Sequence, residues 1–295
     1  MTWIVDEAHS FGEHDLAGSA GWHMSVDQWL LDDWLVGSPN SNQRDDLSFV
    51  MRLYQWKSPT LSLGYFQSLA ERESHHPSKD LDLVRRASGG GAIAHDHELT
   101  YSIAISNEHL RRLLPVLTNH PSPRRKSIEA ASANQRLYGA VHHWIVETLA
   151  GLGISVSPYS DLPRTLVKRH SSIDVADTSR KDAHPFLCFQ RRTSDDLIIS
   201  GYKVVGSAQR RNRFGVLQHG SILWKSSNGA PELPGIADVS GTHWHIADLR
   251  KALLDHWADK TQTKIREFEF SRNQVSAIDK ICTTRFANQR WSSKR

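Results

Sequence analysis

Three consecutive glycines, Gly89, Gly90 and Gly91, follow Arg86 and Ser88 and form the most distinctive segment of this sequence. Glycine adopts backbone angles that other residues avoid and lets the chain approach a ligand closely. The amide groups of such a loop can point into a cavity and stabilise an oxyanion or a phosphate. A tight hairpin turn between two strands is the alternative interpretation. Neither a P-loop nor a dinucleotide-binding loop is predicted, because the residues after the glycines and their spacing do not fit either motif.

A cysteine and a lysine further along the chain are candidates for nucleophilic chemistry. Cys188 stands between Leu187 and Phe189, and Lys203 belongs to a later strand-like run. A thiol reacts as the thiolate, which a nearby cation stabilises, so this pair suits acyl transfer through a thioester. The alternatives are that Cys188 is a small buried hydrophobic residue and that Lys203 is an ordinary strand lysine on the surface.

Three residues with metal-ligand side chains, His95, Asp96 and His97, follow the glycine loop. They stand too close together to form a His-x-x-x-His face, and no second cluster accompanies them. Short runs of this kind are usually solvated loops. We therefore expect no metal site, and the sequence predicts no cofactor.

The overall composition is that of a globular protein, with 39% hydrophobic and 23% charged residues in a chain of 295. There are 36 Lys and Arg against 32 Asp and Glu, and a net charge of +4 is too small to predict nucleic-acid binding. Two cysteines exclude a disulfide framework and fit a reducing compartment. No secretory signal or membrane-spanning window is recognisable, so we expect a cytoplasmic protein without nucleic-acid or membrane partners.

Hydrophobic periodicity indicates the elements that must position these residues. Strands are predicted at residues 49–53, 61–65, 81–86, 92–94, 100–106, 154–156, 186–189, 197–199, 203–205 and 216–224. Helices are predicted at residues 21–35, with Ser25 as the cap, and at 130–152, 243–259 and 273–288. No element is predicted in residues 1–20, and residues 107–126 and 158–184 are expected to be polar connections. Runs of strands and runs of helices indicate an α+β fold with a mixed, mainly antiparallel sheet and packed helices.

Several motifs, in the same order, resemble the lipoate–protein ligase A and octanoyltransferase family, whose fold biotin protein ligases share. Residues 85–96, RRASGGGAIAHD, followed by LTYS, are similar to the signature loop of that family. Residues 49–67, FVMRLYQWKSPTLSLGYFQ, resemble its first strand pair, and residues 198–222, IISGYKVVGSAQRRNRFGVLQHGSI, resemble its second half. The final segment, RFANQRWSSKR, is also similar.

The resemblance implies a single biotin/lipoyl-ligase-type catalytic domain over residues 1–295, with no separate C-terminal ligase domain. In that family the glycine loop and the strand with Lys203 line the acyl site. The implied catalytic residues are Cys188 and Lys203. The implied substrate-binding residues are Arg86, Ser88, Gly89, Gly90, Gly91, His95, Gly206, Ser207, Ala208, Gln218 and His219.

Cys188 distinguishes between the chemistries of the family. The ligases activate free lipoate or octanoate with ATP and have no nucleophile at this place, whereas LipM-type octanoyltransferases have a Cys-Phe pair before the lysine strand. The resemblance therefore implies octanoyl transfer through a Cys188 thioester. Lys203, expected opposite Cys188 on an adjacent strand, would polarise the thioester and relay the proton of the acceptor amine.

Four other functions remain as alternatives. They are an ATP-dependent lipoate–protein ligase, an amidotransferase acting between lipoylated proteins, a protein that binds acylated partners without turnover, and, ranked low, a biotin ligase. The sequence also departs from the transferase motif, since Arg191 and Arg192 follow the Cys-Phe pair and the usual proline is absent. This departure puts the choice of partner in doubt but not the nucleophile.

The resemblance also implies protein partners. The expected donor is octanoyl–acyl carrier protein, and the expected acceptors are lipoyl domains or the glycine cleavage H protein. Candidates for a basic docking face for the acidic donor are Arg124, Arg125, Lys126, Arg191, Arg192, Arg210, Arg211 and Arg213, with dispersed solvated charge as the alternative. The octanoyl tail is expected to contact Leu63, Tyr65, Ile93 and Val205.

Overall fold

A mixed eight-stranded sheet with helices on both faces forms the centre of the fold. The computed structural model describes residues 2–5, 16–36, 49–118, 132–162 and 185–294. The strands in these ranges are β1 (Thr2–Val5), β2 (Phe49–Tyr54), β3 (Thr60–Leu63), β4 (Asp82–Arg85), β5 (Ile93–His95), β6 (Glu98–Ser106), β7 (Ser157–Pro158), β8 (Leu197–Ile199), β9 (Tyr202–Arg211), β10 (Gly215–Leu223) and β11 (Ile265–Glu267). The large sheet has the order β11-β1-β2-β6-β10-β9-β8-β7.

The helices of the described ranges flank this sheet. They are α1 (Ala20–Trp29), α2 (Asn107–Leu117), α3 (Ala133–Gly151), α4 (Ile236–Ser240), α5 (Ile246–Thr261), α6 (Arg272–Ile281) and α7 (Gln289–Ser292), and π-helical turns follow α1 at Leu30–Trp34 and α6 at Cys282–Phe286. In the large sheet β1 runs parallel to β2 and β11, and the remaining neighbours are antiparallel. The expected α+β fold with a mixed, mainly antiparallel sheet is confirmed.

Strand β2 shows how the sequence pattern produces this layered core. The alternating residues Phe49, Met51 and Leu53 pack in one hydrophobic cluster with helices α2, α3 and α5. Val50, which points to the opposite face, packs in a second cluster with residues of α1 and α6. All six residues of the strand are therefore buried, because helices cover both faces of the sheet.

A second, three-stranded sheet holds the glycine loop. Strand β3 lies between β4 and β5, parallel to β4 and antiparallel to β5. The glycines connect β4 to β5 and therefore cross over an intervening strand. The hairpin alternative for Gly89, Gly90 and Gly91 is wrong, because the two flanking strands are not hydrogen-bonded neighbours.

Two predicted helical boundaries differ from the structure. Ser19, not Ser25, caps α1 and accepts a hydrogen bond from the Trp22 amide, while Ser25 donates to the Gly21 carbonyl within the helix. Residues 107–117 form α2 and not a polar connection. The Ser106 hydroxyl caps this helix, and the leucines that it buries recur at helical spacing despite Pro115 in its last turn.

Several strand predictions also differ. Residues 154–156 precede the short strand β7 and do not form a strand themselves, because the Ile154 amide bonds back to the Leu149 carbonyl at the end of α3. The four residues of β1 and the three of β11 were not predicted. These strands are too short to show a period, and their pairing partners lie far away in sequence.

The glycine loop is tied to the last helix of the described chain. Arg85, which is fully buried, donates from Nε and NH2 to the Ser292 carbonyl and from NH1 to the Gln67 carbonyl. The Trp291 indole donates to the Arg85 carbonyl in return, at 2.9 Å. Residues 289–292 therefore brace the strand that leads into the loop.

Candidate active site

Cys188 begins a single turn of 3-10 helix that packs directly on the glycine loop. Its amide donates to the Ala92 carbonyl at 2.7 Å, and the Ala92 amide donates to the Phe186 carbonyl at 3.0 Å. The predicted strand at residues 186–189 is therefore wrong, because only one bridge, between Leu187 and Ala92, extends before the chain turns. Cys188 is partly exposed, in contrast to the buried Cys282.

Lys203 lies next to Cys188 although the two are not on adjacent strands. Its Nζ is 3.9 Å from Cys188 Sγ and 3.3 Å from the Cys188 carbonyl oxygen. Asp196, just before β8, holds the same ammonium at 2.8 Å, and both side chains are buried. The expectation that two neighbouring strands bring Lys203 opposite Cys188 is wrong. Lys203 lies on β9, whereas Cys188 lies in a turn of 3-10 helix and not on a strand. Asp196 had no recognisable signal in the sequence.

The glycine loop presents its backbone to the same place. Gly90 adopts φ of 97°, and a Cβ added there would lie 4.0 Å from Cys188 Sγ. Within the described ranges the amides of Gly89, Gly90 and Gly91 donate no hydrogen bond to a protein acceptor. The loop carbonyls, in contrast, are held by Arg86, which donates to Gly89 and Gly91. Burial lowers the pKa of Arg86 to about 10, and it remains a cation at neutral pH.

Gly91→Ala is expected to displace Cys188, because a Cβ at Gly91 would lie 2.9 Å from both the Cys188 amide nitrogen and its Cα. Overpacking of this kind costs about 1–3 kcal/mol. Because the resemblance implies that Cys188 is the nucleophile, its displacement is expected to slow acyl transfer by about 10²-fold. The matched control is Gly139→Ala in α3, where a new Cβ meets nothing within 4 Å. Steady-state transfer rates and urea unfolding measure both effects. Wild-type transfer by the Gly91 variant would contradict the close packing.

An apolar pocket of about 430 Å³, including its open mouth, adjoins Cys188. It is lined by Met24, Tyr54, Trp56, Arg86, Gly89, Gly90, Ile93, His95, Thr100, Cys188, Gly206, Ser207, Ala208, His219, Gly220 and Ser221. Strands β2, β5, β9 and β10, helix α1 and the glycine loop all contribute to its wall. The apolar character of this lining suits the aliphatic tail of an acyl group.

The structure brings most of the predicted site residues together. Eight of those residues besides Cys188 line the pocket: Arg86, Gly89, Gly90, His95, Gly206, Ser207, Ala208 and His219. Ser88 bonds to His219, and Gly91 packs on Cys188. Gln218 is turned away, toward Gln209 and the Tyr101 hydroxyl.

The apolar lining of the pocket differs from the prediction. Of the four expected tail contacts only Ile93 lines it, whereas Leu63, Tyr65 and Val205 lie outside its wall. Leu63 and Val205 pack in hydrophobic clusters instead. The apolar wall is formed instead by Met24, Tyr54 and Trp56. The sequence showed the alternation along β2, but nothing in it indicated that these three side chains share a cavity.

Two histidines near the pocket are held without charge by burial. Burial lowers the pKa of His95, against the opposing effect of Glu98, whose Oε1 lies 2.5 Å from Nδ1. Burial likewise lowers the pKa of His142 on α3, which contacts the Ser207 hydroxyl at 2.5 Å. Both side chains are therefore neutral in the folded protein at pH values at which the unfolded chain already binds protons.

The free energy of unfolding is expected to fall on acidification below about pH 6.5, the ordinary histidine value. Because the pKa is lower in the folded protein, the unfolded chain binds the proton at a higher pH than the folded protein does. The contribution of these histidines to the free energy of unfolding is therefore full above this pH and is lost below it. Each histidine contributes about 1.4 kcal/mol per pH unit until its folded pKa is reached. Urea unfolding at a series of pH values below about pH 6.5 measures the effect. His142→Gln is expected to remove the contribution of one histidine from the slope of the free energy of unfolding against pH. An unchanged slope in that variant would contradict the assignment.

The residues near the glycine loop do not form a metal site. Among the residues that the structure describes, no group of three His, Cys, Asp or Glu side chains is arranged to hold an ion. His95 is committed to Glu98 and Ser62, and Asp96 bonds to Ser227.

Comparison with known proteins identifies the fold and the family. Residues 24–119 match the family model described as the lipoyl protein ligase A/B catalytic domain. An octanoyltransferase LipM of Halalkalibacterium halodurans is 32% identical to this chain. The match covers 93% of this chain and 95% of that protein. The chain belongs to the LipM octanoyltransferase family. It is therefore an acyltransferase, and its relatives include the LipM of Staphylococcus epidermidis, 30% identical over 93% of this chain and 94% of that protein.

Solved structures share the fold of this LipM-family acyltransferase at low sequence identity. A lipoate protein ligase of Thermoplasma acidophilum with bound lipoic acid superposes with a TM-score of 0.62 and 14% identity, covering 100% of this chain and 99% of the other. A lipoate-protein ligase A bound with ATP gives a TM-score of 0.60 with 15% identity and covers 94% of both chains. These likenesses confirm the ligase-type catalytic fold.

The candidate docking arginines of this LipM-family protein fall into two groups. Arg191, Arg192 and Arg210 are half-buried and donate to backbone carbonyls. Arg211 and Arg213 are exposed. The remaining candidates, Arg124, Arg125 and Lys126, lie outside the described residues.

Among the helices of the described ranges, none is long and apolar enough to cross a membrane.

Proposed function

We propose that this protein moves an octanoyl group from acyl carrier protein to a lysine of a lipoyl domain through a thioester on Cys188. The observation that carries the proposal is the contact between Cys188 Sγ and Lys203 Nζ, 3.9 Å apart, beside an apolar pocket. A nearby ammonium favours the thiolate, which is the nucleophilic form of cysteine. The names of the LipM relatives support the acyl group.

The first half of the reaction makes the acyl-enzyme. The Cys188 thiolate attacks the carbonyl carbon of the donor thioester, forming a new C–S bond, and the electron pair of the carbonyl moves to oxygen. The amides of the glycine loop lie beside Cys188 and are available to donate to this oxyanion. Collapse of the intermediate breaks the donor C–S bond and releases the carrier thiol.

The apolar pocket holds the acyl tail during this step. Met24, Trp56 and Ile93 supply side chains against which methylene groups lose contact with water. Each buried methylene contributes about 0.8 kcal/mol to binding. We infer that contacts with these apolar side chains select a saturated acyl chain.

The second half of the reaction transfers the octanoyl group to an amine. The acceptor lysine first loses one proton of its ammonium to a base. Its nitrogen then attacks the Cys188 thioester, forms the amide bond and gives its second excess proton to solvent, while the cysteine leaves as a thiolate beside Lys203. A lipoyl domain as acceptor is supported by a solved structure that describes a bipartite ligase of Thermoplasma acidophilum and its E2 lipoyl domain. The glycine cleavage H protein is the other acceptor that we propose.

Intact-protein mass spectrometry tests the proposal. Incubation with octanoyl–acyl carrier protein, without ATP, is expected to add a single octanoyl group that maps to the peptide containing Cys188. Parallel samples contain free octanoate or lipoate, each with and without ATP. Absence of the adduct, together with acyl transfer only in the samples with ATP, would refute the transferase and establish a ligase.

Salt is expected to weaken recognition of the protein donor. Arg211 and Arg213 are exposed on and just after β9, the strand that carries Lys203, and acyl carrier proteins are acidic. Screening of such charges should raise the apparent KM for octanoyl–acyl carrier protein between low and moderate ionic strength. A small uncharged octanoyl thioester is the control and should show no such rise. Equal salt dependence for both donors would remove the docking role.

A further inference from the structure

A chain of three buried side chains runs from α1 to the glycine loop. Asp27 Oδ2 lies 3.0 Å from His219 Nδ1, and His219 Nε2 lies 2.5 Å from the Ser88 hydroxyl. His219 on β10 lines the pocket beside Cys188, and Ser88 directly precedes Gly89. The three groups come from separate parts of the sequence and converge on the site where the acyl-enzyme forms.

The charge of Asp27 fixes the direction of these hydrogen bonds. Asp27 is buried, which by itself raises the pKa, but Arg52 and His219 outweigh burial and hold its pKa below the ordinary value. Its other oxygen forms an ion pair with the fully buried Arg52. An ionised carboxylate only accepts hydrogen bonds. His219 must therefore donate from Nδ1, which leaves Nε2 as the acceptor of the Ser88 hydroxyl proton.

The amine step needs a proton acceptor that Lys203 does not provide. An acceptor lysine arrives largely as an ammonium and has to lose protons to become an amide nitrogen. Lys203 Nζ lies 2.8 Å from Asp196 Oδ2 and donates to the carbonyl oxygens of Cys188 and Arg191, each at 3.3 Å, so its hydrogens already point at acceptors of the protein. The expectation that Lys203 relays the proton of the amine therefore lacks a structural basis.

The other histidine of the pocket is less suited to this role. His95 contacts Glu98 at Nδ1 and Ser62 at Nε2, an arrangement that looks similar. Ser62, however, is fully buried and its hydroxyl accepts from the Arg86 guanidinium at 2.7 Å. That chain ends on a cation, whereas the chain through His219 ends at the glycine loop.

We propose that His219 is the general base of the amine step, that Ser88 relays the proton to it, and that Asp27 is its positioning residue. The inference rests on the proposed function. Before the attack, the acceptor ammonium gives one proton to Ser88 Oγ as the Ser88 hydroxyl proton passes to His219 Nε2. The neutral amine nitrogen then bonds to the thioester carbon and loses its second excess proton to solvent. The C–S bond breaks to release the Cys188 thiolate, and His219 later gives its proton to solvent. Asp27 stabilises the imidazolium in between.

Single-turnover reactions of the preformed octanoyl-enzyme test this assignment with two nucleophiles. A lipoyl domain supplies a lysine ammonium, whereas hydroxylamine is uncharged at neutral pH and needs no base before it attacks. His219→Gln is expected to slow transfer to the lipoyl domain by about 10²–10³-fold and to leave hydroxylamine cleavage near the wild-type rate. Ser88→Ala and Asp27→Asn should show the same selectivity.

His75→Gln is the matched control. His75 also bridges a serine and a carboxylate, Ser78 at 2.9 Å and Glu232 at 2.8 Å, but it does not line the pocket. Both nucleophiles should react with its acyl-enzyme as they do with the wild type. Equal rate losses for both nucleophiles in the His219 and Ser88 variants, or no loss in either, would overturn the inference alone. A wild-type protein that forms no Cys188 thioester would overturn the proposed function and this inference with it.

Discussion

Cys188→Ala is expected to abolish octanoyl transfer, lowering kcat/KM by at least about 10³-fold, because no covalent intermediate can form without the thiol. Alanine removes only the sulfur, and Cys188 is partly exposed at the start of a one-turn helix, where its amide donates to the Ala92 carbonyl. The fold should therefore survive the change. Transfer is measured as octanoylation of a lipoyl domain from octanoyl–acyl carrier protein.

The second cysteine provides the control for this result. Cys282 is buried in a π-helical turn, and burial raises the pKa of its thiol, so it is not suited to act as a nucleophile. Cys282→Ala should retain transfer and the octanoyl adduct. If Cys188→Ala retained transfer that depended on ATP, the cysteine would be a packing residue and the ligase alternative would replace the transferase.

Lys203→Met is expected to lower both stability and activity. The variant leaves Asp196 buried without the ammonium that now lies 2.8 Å from it, and breaking a buried ion pair on one side costs about 3–5 kcal/mol. Loss of the cation beside Cys188 Sγ should slow formation of the acyl-enzyme by about 10²–10³-fold. Urea unfolding measures the first effect and single-turnover acylation the second.

A double variant separates these two effects. Adding Asp196→Asn to Lys203→Met removes the unpaired charge while the side-chain oxygen can still accept from the Thr193 amide, which donates to Asp196 at 2.7 Å. Stability should recover largely, and the acylation rate should not. Recovery of both together would mean that Lys203 acts only by holding the fold.

The sequence predicted the local elements of this fold better than the contacts between them. Apolar residues alternate in β2 and recur at helical spacing in α3 and α5, because each of these elements buries one apolar face in the same cluster. Such a pattern can be read from consecutive residues of the sequence. The turn at Cys188 was predicted as a strand because residues 186–189 are apolar and short, and periodicity cannot distinguish a strand from a buried turn of that length. Only the single bridge to Ala92 decides between them.

The same distinction applies to the candidate site. Motif resemblance brought Cys188, Lys203, the glycine loop and His219 into one expectation. The structure places Cys188, Gly89, Gly90 and His219 in the wall of one pocket and Lys203 Nζ 3.9 Å from Cys188 Sγ. Asp27 and Asp196 were missed, since a carboxylate on a helix and another before a strand are ordinary surface features in a sequence. Their importance arises from burial beside a cation, which is a property of tertiary packing.

The brace between Arg85 and Ser292 has a consequence for the biogenesis of the enzyme. These residues stand 207 positions apart, yet their hydrogen bonds hold the strand that enters the glycine loop. A ribosome makes the chain from its N-terminus, and contacts of large sequence separation form late. A nascent chain that has already displayed the glycine loop still lacks residues 289–292. The strand that enters the glycine loop therefore gains these hydrogen bonds only after residue 292 has left the exit tunnel.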